Sequence, residues 1–304
     1  MKIGAMTSAS RSAATPAALV EQIKTLESQG LDSVWMPQTF AFDAIDVISA
    51  AGFVTSKINF GTAVTPTFPR HPTALAAQAM SAASLTGGRF VLGIGLSHRV
   101  VIEGMLNMSF DRPARHMREY LSILMPALGG ETVNFVGEQL TARNFKIDLP
   151  GVTPPKVAVA ALGPVMLQLA GSLADGTITW MVGPKTMEGH IVPSIRKAAA
   201  DAGRPAPIVA AGFPIALTSD ADAAREKIGK ALSFYGVLPS YRAMLDREAA
   251  GAKPEDIAIV GDEKTLRAAV GRLRDIGVTD FMGSVMNVGD DSVPRTLGFL
   301  ASLT

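Results

Sequence analysis

The chain has 304 residues, 48% of them hydrophobic, and its 28 Lys+Arg against 27 Asp+Glu leave a net charge of +1. That length allows a sizeable core, and the near-neutral balance, without a basic block or acidic tail, gives no footing for a nucleic acid or an anionic membrane. There is no cysteine, so disulfides, thiolate metal sites, iron–sulfur clusters and a cysteine nucleophile are excluded.

The N-terminal MKIGAM passes straight into a strand with no basic segment or apolar h-region, so no signal peptide is expected. No apolar run reaches the ~18 residues of a membrane span, and a soluble cytoplasmic protein is expected. Lys2 to Met6 reads as the first strand and Thr7 to Ser12 as a small-residue loop. Thr15-Pro16 has the form of an N-cap and N1 proline for a helix that continues through Glu27. Gly30 stops it. Ser33 to Met36 is the second strand, and Asp43 to Val54 the second helix. Ile58 to Val64 is the third strand, followed by a Pro-punctuated loop. An Ala-rich helix spans Ala74 to Leu85, Gly87-Gly88 ends it, and Arg89 to Ile94 is the fourth strand. Strands three and four with their helix form a βαβ unit, so they are expected to be parallel.

Arg99 to Asp111 reads as loop with room for a helical turn, Arg112 to Leu128 as an amphipathic helix, and Gly129 to Leu149 as an inserted hairpin. Lys156 to Ala161 is the fifth strand, with a helix opening at Gly163-Pro164. Thr177 to Trp180 is the sixth, followed by a helix over Met187 to Ala202. Pro207 to Leu217 holds the seventh, with helices over Asp220 to Tyr235 and from Leu238. Glu263 to Ile276 is helical, Val278 to Met282 is the eighth strand, and a helix over Ser292 to Leu303 closes the chain. The strands read as continuous apolar runs, as strands buried on both faces do. The architecture expected is α/β, a (β/α)8 TIM barrel with an insertion after strand four, in one domain over residues 1–304. A doubly wound open sheet is the competitor, and the count of eight favours the barrel.

The chemistry-bearing residues are sparse. Gly93-Ile94-Gly95 lacks the third glycine of a dinucleotide fingerprint, and no P-loop, HExxH or GxSxG occurs. The histidines, His71, His98, His116 and His190, show no metal-ligand spacing. His71 suits a cap, and His116 and His190 lie on helices, packed or facing solvent. His98 lies just past strand four, at the end of a barrel where functional residues gather. Asp43 suits a helix cap, and no carboxylate pair suggests glycosidase chemistry. With no acid/base constellation, the chemistry is expected to belong to a cofactor. The loops Ala160–Pro164 and Trp180–Pro184 offer small residues and amides at helix starts, which suit an anion and equally suit an ordinary turn. Trp35, Met36, Phe40, Trp180 and Met181 suit a bed for a flat ring, or the core.

GTAVTPTFPRHPTALAAQAMSAASLTGGRFVLGIGLSH at 61–98 resembles the luciferase-like monooxygenase superfamily, as do GLDSVWMPQTFAFDA at 30–44, AALGPVMLQLAGSLADGTITW at 160–180 and AIVGDEKTLRAAVGRLRDIGVTDF at 258–281. Within it, the chain is most similar to the branch that uses coenzyme F420, a 5-deazaflavin. The resemblance implies a barrel, a homodimer and a cofactor ring at the C-terminal mouth. It implies a non-proline cis peptide at Ala63–Val64, in a bulge behind that ring, with ring contacts continuing through Thr65, Gly95 and Ser97. It implies a phosphate on the loops of Ala161, Leu162, Gly163 and Pro164, and of Trp180, Met181, Val182 and Gly183. Sugar-phosphate dehydrogenase relatives carry an Asp-His pair where this chain has Gln38-Thr39, and a glutamate where it has His98. A small, apolar substrate is therefore expected. Gln38 and Thr39 would bond the ring or substrate, His98 would handle the proton, and the loops Arg99–Asp111 and Leu238–Ala250 would shape the pocket. The alternatives are an FMN-dependent monooxygenase of the same superfamily and a non-catalytic cofactor-binding protein.

Overall fold

The computed structural model describes residues 1–7, 15–289 and 291–304. The loop expected over Thr7 to Ser12 lies outside the described residues, except for Thr7. Eight parallel strands close on themselves: β1 (Lys2–Met6), β2 (Ser33–Met36), β3 (Asn59–Thr62), β4 (Phe90–Gly95), β5 (Lys156–Ala160), β6 (Gly176–Trp180), β7 (Ile208–Leu217) and β8 (Asp280–Val285). Each pairs with the next in chain order, and β8 returns to β1 with Lys2 opposite Asp280 and Ala5 opposite Gly283. This is the (β/α)8 barrel expected, and the open-sheet alternative is excluded by the β8–β1 pairing.

Around it run α1 (Pro16–Ser28), α2 (Ala44–Val54), α3 (Pro72–Leu85), α4 (Pro113–Leu128), α5 (Pro164–Leu173), α6 (Val192–Asp201), α7 (Ala221–Leu232), α8 (Pro239–Glu248), α9 (Glu263–Ile276) and α10 (Ser292–Ala301). Their starts follow from local chemistry. The Thr15 hydroxyl accepts from Ala18 N at 3.1 Å, with Pro16 behind it. Asp43 accepts from Ile45 N at 2.9 Å, and His71 Nδ1 accepts from Thr73 N at 3.4 Å. Each satisfies an amide that the first helical turn leaves without a partner.

Strand side chains alternate between two destinations. Val34, Phe60, Leu92, Val157, Val209 and Phe281 point outward and are buried against the helices. Trp35, Ala158, Ile178, Ala210 and Met282 point inward and fill the barrel. Full burial of each large apolar side chain is worth about 1.5–3 kcal/mol. The interior is filled unevenly, since one large indole needs space on its neighbours. A Cβ on Gly61 would fall inside the Trp35 ring, so glycine on β3 is the space into which the β2 tryptophan packs. Trp35 Nε1 donates to the Ser33 hydroxyl at 3.1 Å, which satisfies the one polar atom of the buried ring.

Several elements differ from expectation. Strand three stops at Thr62 rather than Val64. The Ala63–Val64 peptide is cis, and Thr65–Pro66 then pairs with Ile94 and Gly95 of β4. The helix expected from Met187 begins at Pro184, and its Met187–Ile191 turn is a π-helix. The helix expected to reach Tyr235 ends at Leu232, where a 3₁₀ turn over Ser233–Val237 takes over. A short strand, Ile259–Gly261, lies parallel to the end of β7. The inserted hairpin pairs Val133–Val136 with Thr141–Phe145. Its turn is tied to α4 by Glu119, whose buried carboxylate accepts from the amides of Glu138, Gln139 and Leu140 at 3.0, 2.8 and 2.9 Å.

Replacing Gly61 by alanine should therefore destabilise the fold by about 1–3 kcal/mol, because the added methyl has no place beside Trp35. Urea unfolding followed by circular dichroism measures this. A loss under about 0.5 kcal/mol, the scale of a surface change, would show that the indole shifts freely.

Candidate functional site

Inward side chains fill the barrel, and space appears beyond its strand ends. A cavity of about 740 Å³ opens there, over the C-terminal ends of β3 to β6. Its floor is backbone and small side chains: Ala63 and Val64 at the cis peptide, Gly95 from β4 and Ala160 from β5. Ile178, Thr179 and Trp180 of β6 form one wall. Val100 and Phe110, from the segment after β4, and Leu238 to Tyr241, at the start of α8, form the rim.

Eight of the expected site residues meet in this cavity: Ala63, Val64, Gly95, Ser97, His98, Leu162, Gly163 and Trp180. Both segments expected to shape the pocket also line it. The other expected residues do not reach it. Gln38 is drawn into a local cap, where its Oε1 accepts from Ala44 N at 2.7 Å and its Nε2 donates to Thr39 O at 3.2 Å. Thr39 is exposed on the same loop. Thr65 is fully buried behind the floor, with its hydroxyl unpartnered among the described residues. Ala161 is buried, and Pro164 is already the first residue of α5. Met181 and Val182 are buried with no face to the cavity, and Gly183 lies under the Glu248 carboxylate. Of the residues suited to bed a flat ring, only Trp180 lines the cavity. Trp35 fills the barrel below, Met36 and Met181 are core, and Phe40 is 76% exposed.

His98 is the titratable group at the centre. It follows Ser97, whose φ of 61° turns the chain sharply off the end of β4. Burial holds its imidazole below the ordinary value, so it is largely neutral near pH 7. Its ring meets Tyr241 edge-on at 5.6 Å, Tyr241 meets Tyr235 at 5.4 Å, and Tyr235 meets Trp180 at 5.9 Å. Burial raises both tyrosines above their ordinary value, so they stand as neutral hydroxyls. Arg99, also in the lining, pairs with Glu103 and lies over the Phe110 ring, so its charge is engaged. Among the described residues, the cavity thus offers one imidazole in an apolar, aromatic enclosure. No motif in the sequence marks Tyr235 and Tyr241 as part of it; the only local sign is Pro239, a helix start close after strand seven's helix.

The two anion-suited loops turn out unlike. At the start of α5, Gly163 is the N-cap and no side chain caps the helix. Among the described residues, the Leu162 and Gly163 amides have no acceptor. At the start of the helix after β6, two amides of the first turn are taken, while those of Val182 and Gly183 have no acceptor among the described residues. Glu248, the last residue of α8, accepts from Lys185 N at 3.1 Å and Thr186 N at 2.8 Å.

The family model for the luciferase-like monooxygenases matches residues 1–282. The chain belongs to the luciferase-like monooxygenase family. It is 25% identical over 304 residues to the 5,10-methylenetetrahydromethanopterin reductase of Methanolobus tindarius, an alignment covering 90% of this chain and 92% of that one. It is 26% identical over 242 residues to a putative coenzyme F420-dependent oxidoreductase of Mycobacterium tuberculosis, covering 71% of this chain and 67% of the other. The F420-dependent tetrahydromethanopterin reductase structure from Methanopyrus kandleri superposes with a TM-score of 0.78 at 21% identity, over 99% of this chain and 97% of that one. That likeness concerns the fold. No helix among the described residues is long and apolar enough to cross a membrane.

A flavin-like cofactor fits what this family member presents. A flat ring needs an apolar slot with a smooth floor, which the Ala63–Val64 backbone, Gly95 and Ala160 supply. A phosphate needs unpaired amides at a helix start; the α5 loop offers those of Leu162 and Gly163 in the cavity lining, whereas in the β6 loop Glu248 takes the Lys185 and Thr186 amides, and Val182 and Gly183 do not line the cavity. Glu248→Ala should expose the Lys185 and Thr186 amides and cost about 1–3 kcal/mol for the lost charge-assisted bonds. Hydrogen exchange should then speed up at those two amides. Unchanged exchange would mean that the carboxylate does not hold them in solution.

Proposed function

We propose that this luciferase-like protein is an F420-dependent oxidoreductase acting on a small, apolar substrate. The observation that carries the reading is the cavity itself: a backbone floor at Ala63–Val64, an open helix start at Gly163, and His98 as the imidazole in its lining among the described residues. The F420-dependent relatives support the choice of cofactor. When bound, a deazaflavin supplies hydride chemistry at its ring carbon C5.

The protein's own residues do the remainder. Ala63, Val64, Gly95 and Ala160 would bear one face of the ring, and the Leu162 and Gly163 amides would hold the phosphate. Trp180, Tyr241, Val100 and Phe110 exclude water and set an apolar boundary around the substrate. Arg99, the cation of the lining among the described residues, is engaged with Glu103 and so is not free to select a phosphorylated substrate. Neutral His98 can accept a proton at its ring nitrogen when a substrate hydroxyl is oxidised. In the reverse direction its conjugate acid returns that proton to the product oxygen. The reading also carries the homodimer of the family resemblance, for which Phe53, Val54 and Leu85 leave apolar surface exposed.

FMN is the rival cofactor, and a solved neighbour in fold, the oxygenating constituent of 3,6-diketocamphane monooxygenase from Pseudomonas putida, is in complex with it. Titrating the protein with F420 and with FMN tests the choice. Tighter binding of F420 is expected, and FMN binding with negligible F420 binding would overturn it. His98→Asn should slow turnover by about 10²–10⁴-fold while leaving the cofactor Kd unchanged. An equal loss of both would place His98 in binding instead of chemistry.

The pH dependence has a definite sign. The neutral form of His98 accepts the proton, and burial keeps its pKa below 6.5. Substrate oxidation should therefore lose rate only as pH falls through that depressed value, and stay level above it. Substrate reduction, which needs the conjugate acid, should fall as pH rises through it. Both limbs should vanish in His98→Asn.

A further inference from the structure

One histidine outside the cavity is joined to its phosphate-suited loop. His190, half-buried in the π-helical turn Met187–Ile191, has its Nε2 2.8 Å from the Leu162 carbonyl oxygen. A carbonyl can only accept, so Nε2 carries the proton and donates. The Leu162–Gly163 peptide is trans, and in a trans peptide the C=O and N–H point in opposite directions. Leu162 and Gly163 line the cavity and His190 does not. Drawing the carbonyl outward to His190 therefore turns the Gly163 N–H inward, toward the cavity.

Two further observations agree. The preceding carbonyls are also held from outside: the Thr177 hydroxyl lies 3.0 Å from Val159 O and 3.2 Å from Ala161 O. The loop is thus tied by its acceptors while its Leu162 and Gly163 donors have no partner among the described residues. Gly163 itself has φ −81°, a conformation open to any residue, and a Cβ there would meet nothing within 4 Å. Among the described residues nothing crowds this point, so the space beside Gly163 is open to a ligand.

We infer that His190 is a positioning residue that holds the Leu162–Gly163 peptide with its N–H turned to a ligand phosphate. The inference rests on the cofactor reading above. His190 touches neither cofactor nor substrate and acts only through the Leu162 carbonyl. Without its donor, the peptide can rotate and present the carbonyl oxygen to the anion, replacing an attraction by a repulsion.

The test compares each phosphate-bearing cofactor with its phosphate-free counterpart: F420 against the corresponding deazaflavin riboside, and FMN against riboflavin. Binding to the full chain is followed by fluorescence titration, for the native protein, His190→Phe and His190→Gln. Phenylalanine keeps the ring and removes the donor; glutamine keeps a donor. His190→Phe should weaken the phosphate-bearing ligand by about ten-fold or more and leave the phosphate-free one within about two-fold, and His190→Gln should restore most of the loss. Thermal melting of each variant checks folding. Equal weakening of both ligands, or no weakening of the phosphate-bearing one, would overturn the inference. So would a glutamine variant as poor as the phenylalanine one. If the native protein binds neither phosphate-bearing cofactor, it is the cofactor reading that fails, and the inference falls with it.

Discussion

A parallel barrel this small has no room for a ligand inside. The Trp35 indole lies in the space left by Gly61, and Ala158, Ile178, Ala210 and Met282 close the remaining interior. Chemistry is thereby pushed to the strand ends, where the chain leaves regular pairing and can present backbone. Every part of the cavity follows from that constraint. β3 ends in the Ala63–Val64 turn of the chain, β4 in Ser97 and His98, β5 in the Leu162–Gly163 loop and β6 in Trp180. The same packing that stabilises the barrel decides which atoms a ligand can meet.

The roof is built differently from the floor. It comes from segments outside the strand–helix repeat, the stretch after β4 and the run from the 3₁₀ turn into α8. Their aromatic rings touch edge to face, from His98 through Tyr241 and Tyr235 to Trp180. Such contacts add about 0.5–1.5 kcal/mol each beyond area burial. They also enclose His98 deeply enough to depress its pKa. Roof and proton chemistry are thus coupled: a looser roof would hydrate the imidazole and return it toward its ordinary value.

Much of this architecture is legible in the amino-acid sequence. Continuous apolar runs of about four to six residues mark strands buried on both faces, and eight of them spell out the barrel. Thr15, Asp43 and His71 announce their caps, since a short polar side chain before a proline or an apolar run has few other uses. Three kinds of feature stay hidden. Strand three looks continuous through Val64 because backbone breaks leave no mark in hydropathy. Gln38 looks free for a ligand because its bond to Ala44 depends on how the loop folds back. Tyr241 and Glu248 act on residues far away in the chain, and no local pattern links them to His98 or to Lys185.

The two helix starts facing the barrel mouth are equals in the sequence and opposites in the fold. One has its amides satisfied by the chain's own carboxylate, at 3.1 and 2.8 Å from Glu248. The other has its carbonyls pulled outward by His190 and Thr177, with its amides left for something else. Leu162 and Gly163 are only half-buried, so water can complete these amides until a ligand replaces it. With Lys185 and Thr186 satisfied internally, the α5 start is the one that offers its amides in the cavity lining. On the proposed reading, the cofactor's charged end points to α5 and its flat end to the cis peptide. Among the described residues, the substrate is then left the space beneath Tyr241 and Phe110, next to the His98 imidazole.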